Sequence, residues 1–252
     1  TTDATYQRVE SVVAHEYFHN WSGNRVTCRD WFQLSLKEGF TVLRDQQFSA
    51  DMGSPTVCRV NDVAVLRSAQ FAEDAGPMAH PIRPDAFIEI NNFYTPTVYE
   101  KGAEVVGMIR TLLGAEQFRA GSDLYFDRHD GEAVTTEDFV KAMEDANSVD
   151  LSQFRVWYRQ AGTPVLEVTG DYDKAAKTFT LNVSQSCPAT PGQEHKDVYH
   201  LPLKIGLLDQ EGSDIRFPLI DLNVANIDDT SGFSAILHVT EKEQEYVFRG
   251  IE

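Results

Sequence analysis

The chain has 252 residues, of which 42% are hydrophobic and 24% are charged, and its net charge is −17. This composition is typical of a globular protein with one large domain or two small ones, and it excludes disorder, collagen and coiled coil. The acidic balance argues against a nucleic-acid partner, and no apolar run reaches the roughly 18 residues of a membrane span. We therefore expect no nucleic-acid or membrane partner.

The three cysteines, Cys28, Cys58 and Cys187, are too few for a disulfide framework, and we find no signal-peptide pattern. Both observations favour a reducing compartment, so we expect a cytoplasmic protein. The chain begins Thr1-Thr2-Asp3 without an initiator methionine. We therefore expect it to be an internal piece of a longer polypeptide.

Residues 1–162 are predicted to be mostly helical, because their apolar residues recur at helical spacing. A proline-rich segment, Ala75–Pro96, is expected to be irregular, and Thr135–Asp138 resembles a capping box. The predicted helices are around Val9–Tyr17, Phe32–Met52, Cys58–Phe71, Ala103–Leu113, around Phe118–Phe126, after Thr135, and around Phe154–Tyr158.

Beyond Pro164 the apolar residues alternate with polar ones, as in β-strands. Strands are predicted at Phe179–Val183, Leu201–Leu207 and Ala235–Val239, with turns at Gly170-Asp171, Asp209–Gly212 and Thr230–Gly232. Short strands at this spacing are typical of an antiparallel β-sandwich. The sequence thus predicts an α+β protein with a helical domain at 1–162 and a β-sandwich, expected to be truncated, at 163–252.

The first predicted helix contains His15-Glu16-Tyr17-Phe18-His19, which has the pattern H-E-x-x-H. Residues four apart lie about 40° apart around a helix, so both imidazoles can bind one metal ion. Glu16 lies about 100° around the helix from His15, beside the metal site. There it can take a proton from a water molecule at the metal. The alternative is a pair of helix histidines near the surface.

Tetrahedral zinc needs a third protein ligand and an open position for water. The metzincin pattern H-E-x-x-H-x-x-G-x-x-H is excluded, because Ser22 and Arg25 replace its glycine and last histidine. Glu38, 19 residues after His19 in the second predicted helix, is the candidate. Asp45 lies two turns beyond Glu38, where it either orients a ligand histidine or is simply solvated.

The motif His15-Glu16-x-x-His19, followed after 18 residues by Glu38-Gly39, resembles the zinc signature of the M1 aminopeptidases, a gluzincin family. The longer segments HEYFHNWSGNRVTCRDWFQLSLKEG and FAEDAGPMAHPIRP also resemble this family, and the resemblance extends along nearly the whole chain. It implies a thermolysin-like catalytic lobe followed by an Ig-like β-sandwich. It also implies removal of single residues from peptides that have a free amino terminus.

By the same resemblance, His15, His19 and Glu38 correspond to the ligands of one zinc ion per chain, and Glu16 to the general base. Tyr99, in the segment Asn92–Gly102, corresponds to the tyrosine that stabilises the oxyanion. A phenol donor there is chemically reasonable, since attack on the scissile carbonyl leaves negative charge on its oxygen.

The family motif G-x-M-E-N, whose glutamate binds the substrate amine, is not found, and only 14 residues precede His15. We therefore expect flanking domains to be missing and the isolated chain to have little or no activity. Two alternatives remain, a gluzincin that cuts peptides internally and a catalytically inactive structural fragment. The sequence does not predict the preferred first residue, the oligomeric state or the role of the β-sandwich.

Overall fold

The computed structural model describes residues 2–216, 224–226 and 232–251. Helices occupy the first two thirds of the chain and antiparallel strands the last third. The helices are α1 (Asp3–Phe18), α2 (Leu34–Met52), α3 (Pro55–Val65), α4 (Phe71–Asp74), α5 (Gly102–Leu113), α6 (Ala115–His129), α7 (Thr136–Asn147) and α8 (Val156–Arg159). The strands are β1 (Thr27–Cys28), β2 (Ala133–Val134), β3 (Val165–Asp173), β4 (Thr178–Ser186), β5 (Leu201–Leu208), β6 (Asp214–Ile215), β7 (Val224–Asn226), β8 (Ser234–Val239) and β9 (Glu243–Arg249).

Local sequence signals explain where several helices begin and end. Thr135 caps α7, because its hydroxyl accepts a hydrogen bond from the Asp138 amide while the Asp138 carboxylate accepts one from the Thr135 amide. The predicted capping box is therefore confirmed. Gly114 ends α5 with a φ of 83°, a left-handed conformation that favours glycine.

Helix α2 is the central element of the helical part, with α1, α3 and α5 packed against it. Its crossing with α5 is unusually close. A Cβ added to Gly39 would lie 2.7 Å from the carbonyl carbon of Gly102 and 2.9 Å from its Cα. Glycine at both positions lets the two backbones touch, which fixes Glu38 relative to the residues just before α5.

The third predicted helix, Cys58–Phe71, is in fact composite. Helix α3 passes into a π-helical turn, Leu66–Gln70, and then into α4. A second π-helical turn, Thr97–Lys101, runs directly into α5, with the Gly102 amide bonded to the Thr97 carbonyl five residues back. Such turns are rare in proteins, but those that occur are often at functional sites. Ala75–Pro96 is irregular as predicted, apart from a short 3₁₀ turn at Ile90–Phe93.

Within the described residues, the strands after Gly162 form two sheets, one with the order β3-β4-β9 and one with the order β6-β5-β8-β7. All pairings in both sheets are antiparallel. Apolar side chains of β4 and β9 share one buried cluster with those of β5 and β8. The predicted α+β class, with helices followed by antiparallel sheets, is confirmed.

One predicted turn is wrong and another lies partly outside the described residues. Gly170-Asp171 is in the middle of β3, where Gly170 pairs with Leu181. The ring of Phe179 covers this glycine, and an added Cβ would lie 2.5 Å from the ring. The glycine thus marks a close approach within a strand and not a turn. Thr230 lies outside the described residues, whereas Asp209–Gly212 turns between β5 and β6 as predicted.

The helical and sheet parts meet at a buried junction around Gly162. The rings of Trp157 and Tyr199 are tilted by 35° with centroids 4.2 Å apart, and the Trp157 indole donates to the His200 carbonyl. Buried apolar residues of both parts belong to one continuous cluster. Among the described residues, none of the helices is long and apolar enough to cross a membrane.

Candidate metal centre

The two histidines of α1 converge on one carboxylate of α2. Nε2 of His15 lies 3.2 Å from Oε2 of Glu38, and Nε2 of His19 lies 3.1 Å from the same oxygen. The two imidazole rings are edge to face, with centroids 4.5 Å apart. His19 and Glu38 are buried and His15 is half-buried. The structure thus brings together the three residues that the sequence suggested as metal ligands.

The Nδ1 atom of each imidazole ring faces a hydrogen-bond acceptor. Nδ1 of His15 lies 2.7 Å from Oδ2 of Asp45, and Nδ1 of His19 lies 3.0 Å from the carbonyl oxygen of Ser22. A carboxylate and a carbonyl only accept hydrogen bonds, so each Nδ1 carries the proton and donates it. In the neutral rings, both Nε2 atoms then present lone pairs toward Glu38.

Three electron-pair donors facing one another at 3.1–3.2 Å repel unless positive charge lies among them. Protonation is one solution, and the pKa of His15 reflects it. Burial lowers that pKa, but the hydrogen bonds to Asp45 and Glu38 outweigh burial and raise it to about 9. Burial raises the pKa of Glu38, yet the hydrogen bonds from His15 and His19 lower it to about 2. The site attracts cations strongly.

A zinc ion fits this donor set. Zinc–nitrogen and zinc–oxygen bonds of about 2.0–2.1 Å in a tetrahedron place neighbouring ligand atoms about 3.3 Å apart. The distances from Glu38 to the two Nε2 atoms, 3.2 and 3.1 Å, are close to that separation. Two neutral histidines and one carboxylate form a common ligand set of catalytic zinc, which leaves one position open.

Each of the two histidines is held by further residues of α2. Asp45 is buried and also accepts from the Ser11 hydroxyl at 3.4 Å, so it orients His15 and is not a solvated carboxylate. On the other side, the hydroxyl of Thr41 donates to the Ser22 carbonyl at 3.0 Å, next to Nδ1 of His19. Sequence reasoning named Asp45 but missed Thr41, because a buried threonine gives no distinguishing pattern.

Tyr99 lies beside this centre. Its ring is stacked over that of His15, with centroids 6.5 Å apart. Burial, followed by the charge of Glu38, raises the pKa of Tyr99, so the phenol keeps its proton and can donate it. Tyr94 contacts Tyr99 and is half exposed.

Glu16 is exposed on α1, next to His15. Among the described residues its carboxylate has no hydrogen-bond or ion-pair partner, so nothing there competes for a proton or a water molecule. The structure therefore places His15, His19, Glu38 and Tyr99 together, and leaves Glu16 exposed on α1 next to His15.

Comparison with known families agrees with this arrangement. Residues 1–158 match the profile of the peptidase family M1 domain. Residues 162–252 match a profile described as a domain of unknown function, DUF3458, with an Ig-like fold. The two matched segments meet where the helices give way to strands.

The chain is also similar to named relatives. It is 57% identical over 250 residues to aminopeptidase N of Escherichia coli (strain K12) and 56% identical over 250 residues to that of Haemophilus influenzae. Each alignment covers 99% of this chain and 28% of the relative, so the chain spans just over a quarter of their length.

A similar solved structure is Legionella pneumophila aminopeptidase A in complex with aspartic acid, at 31% identity and a TM-score of 0.79. That match covers 100% of this chain and 25% of the other. The sequence, the fold and the convergence of the H-E-x-x-H histidines on Glu38 agree with the matched profile: the chain belongs to peptidase family M1.

Proposed function

We propose that this chain is the zinc-binding part of a longer polypeptide, called here the full-length protein, which hydrolyses the amino-terminal residue of peptides. We also propose that the chain divides at Gly162 into a helical domain, 1–162, and a β-sandwich domain, 163–252. The observation that carries the function is the convergence of His15, His19 and Glu38 within a chain of family M1, whose aminopeptidases are zinc metalloenzymes.

In this proposal His15, His19 and Glu38 hold one zinc ion. Zinc, when bound there, polarises the scissile carbonyl and lowers the pKa of a water molecule at its open position. Asp45 and the Ser22 carbonyl keep both Nδ1 atoms protonated, so that both Nε2 atoms remain free to bind the metal.

The chain's own residues then move the protons and stabilise charge. Glu16 takes the proton of the attacking water and later gives it to the leaving amine, since its carboxylate is exposed next to His15 and is free of other partners among the described residues. The Tyr99 phenol donates a hydrogen bond to the carbonyl oxygen as negative charge develops there. We assign Tyr94, which contacts the Tyr99 ring and is half exposed, to the border of the position of the first substrate side chain.

Metal content and activity test this proposal together. The full-length protein should contain one zinc per chain, and His19→Ala should lose it. Unchanged zinc content in that variant would contradict the ligand assignment. Hydrolysis of an alanyl peptide, with the N-acetylated peptide as control, identifies the class of protease. Cleavage of the free peptide alone supports an aminopeptidase, cleavage of both indicates an endopeptidase, and cleavage of neither by zinc-loaded protein indicates an inactive structural protein.

A further inference from the structure

Tyr99 lies in the π-helical turn Thr97–Lys101, and both ends of this turn are held by side chains from one short stretch of the chain. Those side chains are Gln70, Glu73 and Asp74, at the end of the preceding π-helical turn and in α4. We call these three residues the Tyr99 clamp. Asp74 of α4 also contacts Gly162 and Thr163, where the helical part meets the β-sandwich domain. The clamp therefore lies between that junction and the metal centre.

The first end of the turn is held at Thr97, which is completely buried. The carboxylate of Glu73 accepts hydrogen bonds from the Thr97 amide at 2.9 Å and from the Thr97 hydroxyl at 2.5 Å. The side-chain amide of Gln70 donates to the same hydroxyl at 3.2 Å. One threonine thus makes three hydrogen bonds to the clamp, two residues before Tyr99.

The second end of the turn is held at Lys101. Its ammonium group donates to Asp74 at 2.6 Å in an ion pair whose side chains are 6% and 0% exposed. The same group donates to the Gly162 carbonyl at 3.0 Å. Asp74 in turn accepts from the Gly162 amide at 2.8 Å and from the Thr163 hydroxyl at 3.1 Å. The last residue of the helical domain, Gly162, and the first residue of the β-sandwich domain, Thr163, therefore belong to the same network.

The hydrogen bonds of the clamp restrict the position of Tyr99. A phenol that stabilises an oxyanion acts only if it is held within a few tenths of an ångström of the developing charge. Side chains that bind both ends of the π-helical turn restrict the backbone that carries Tyr99, and therefore the position of its phenol.

We propose that the Tyr99 clamp positions the Tyr99 phenol for catalysis and connects that position to the junction with the β-domain. Gln70, Glu73 and Asp74 are positioning residues, because they act through Tyr99 and do not touch the substrate. This inference rests on the proposed oxyanion role of Tyr99. The Thr163 hydroxyl links the start of the β-sandwich domain to this network.

The test uses Thr97→Val in the full-length protein, since valine keeps the shape of threonine and removes only the hydroxyl. We expect kcat to fall at least fivefold, with KM within twofold and zinc content unchanged. Thr97→Ser, which keeps the hydroxyl, should restore most of kcat. The matched control is Thr111→Val in α5, where the lost hydroxyl bonds only to the Gly107 carbonyl of its own helix. Its kcat should be unchanged.

Positioning is separated from general stability by repeating Thr97→Val in a Tyr99→Phe background. Without the phenol there is nothing left to position, so the second substitution should change kcat less than twofold. Glu73→Gln provides the same comparison if Thr97→Val does not fold.

Two results would overturn the positioning role of the clamp without affecting the oxyanion role of Tyr99. The first is an unchanged kcat in both Thr97→Val and Glu73→Gln. The second is an equal fold loss of kcat from Thr97→Val with and without Tyr99→Phe. Unchanged kcat in Tyr99→Phe itself would instead overturn the oxyanion role, and the positioning role with it. The zinc measurement on His19→Ala is independent of both.

Discussion

Nδ1 of His15 donates a hydrogen bond to Oδ2 of Asp45 at 2.7 Å, on the side of the ring opposite Glu38. Asp45 is seven residues after Glu38 on α2, so one helix supplies both a proposed metal ligand and the carboxylate that orients another. The pairing fixes the tautomer of His15 and leaves its Nε2 lone pair facing the proposed metal position.

This relationship predicts the effect of Asp45→Asn in the full-length protein. The substitution keeps the shape but removes the negative charge that holds the Nδ1 proton, so zinc affinity should fall about 10–100-fold. Competition with a chelator of known affinity measures it. Asp51→Asn, at an exposed position of the same helix, should leave the affinity unchanged. Equal affinities in all three proteins would show that Asp45 does not orient His15.

A second prediction separates metal binding from proton transfer. Glu16→Gln removes the proposed base and no metal ligand, so zinc content should stay at one per chain while kcat falls about 10²–10⁴-fold. Steady-state kinetics and metal analysis of the same sample measure both. Glu167→Gln, on an exposed position of β3, is the control and should be fully active. If Glu16→Gln retained more than a tenth of the activity, another group would have to be the base.

The third prediction concerns the oxyanion. Tyr99→Phe should keep the zinc and the ring packing against His15 but lose the phenol donor, and kcat should fall about 10²–10³-fold. Because the donor acts on charge that develops during the reaction, KM should change little. A loss smaller than twofold in kcat would rule out this role.

The fourth prediction concerns the contact between α2 and α5. In Gly39→Ala, the new Cβ would lie 2.7 Å from the backbone of Gly102, and relief of that overlap must move one helix. We expect the free energy of unfolding to fall by about 1–3 kcal/mol. In Gly107→Ala the new Cβ lies 3.6 Å from Leu43, an ordinary contact, so this control should be neutral or more stable by up to about 1 kcal/mol. Chemical denaturation measures the free energy of unfolding of both variants. Equal values for Gly39→Ala and Gly107→Ala would contradict the close contact between α2 and α5.

The fifth prediction concerns acid stability and arises from a histidine pair in the β-sandwich domain, in which His200 is buried and His238 is partly buried. Nε2 of His200 lies 3.0 Å from Nδ1 of His238. Burial, followed by the nearby His238, lowers the pKa of His200 to about 4. The folded protein therefore binds fewer protons than the unfolded chain between pH 4 and about 6.5. The contribution of neutral His200 to the free energy of unfolding is therefore complete above pH 6.5 and is lost as the pH falls toward 4.

Free energies of unfolding measured at pH 7 and pH 5 test whether stability falls with pH in this direction. The loss of stability between them should be smaller in His200→Gln than in the unchanged protein, by on the order of 1–2 kcal/mol. The exposed His195→Gln should leave the loss unchanged. A greater loss of stability at pH 5 in His200→Gln than in the unchanged protein would contradict the assignment.

Local patterns predicted the parts of the fold that local physics determines. The apolar period defined α5, the capping box at Thr135 defined the start of α7, and alternation defined the strands. H-E-x-x-H and the distant Glu38 predicted a site that long-range packing then assembled. These signals worked because each arises from residues that are close in sequence or from a known spacing.

Features that depend on distant packing could not be predicted in the same way. Gly170 read as a turn because the Phe179 ring that covers it comes from the next strand. The Tyr99 clamp joins residues about 25 positions apart across an irregular segment, and no period relates Asp74 to Lys101. The π-helical turn around Tyr99 is likewise set by its packing and not by local propensity.

The central claim is that His15, His19 and Glu38 hold one zinc ion. The most direct measurement is anomalous diffraction at the zinc absorption edge from crystals of the full-length protein. We predict one strong peak about 2.0–2.1 Å from the Nε2 atoms of both histidines and from a carboxylate oxygen of Glu38. A zinc-containing crystal with its peak at other residues, or with no peak among these three, would contradict the account.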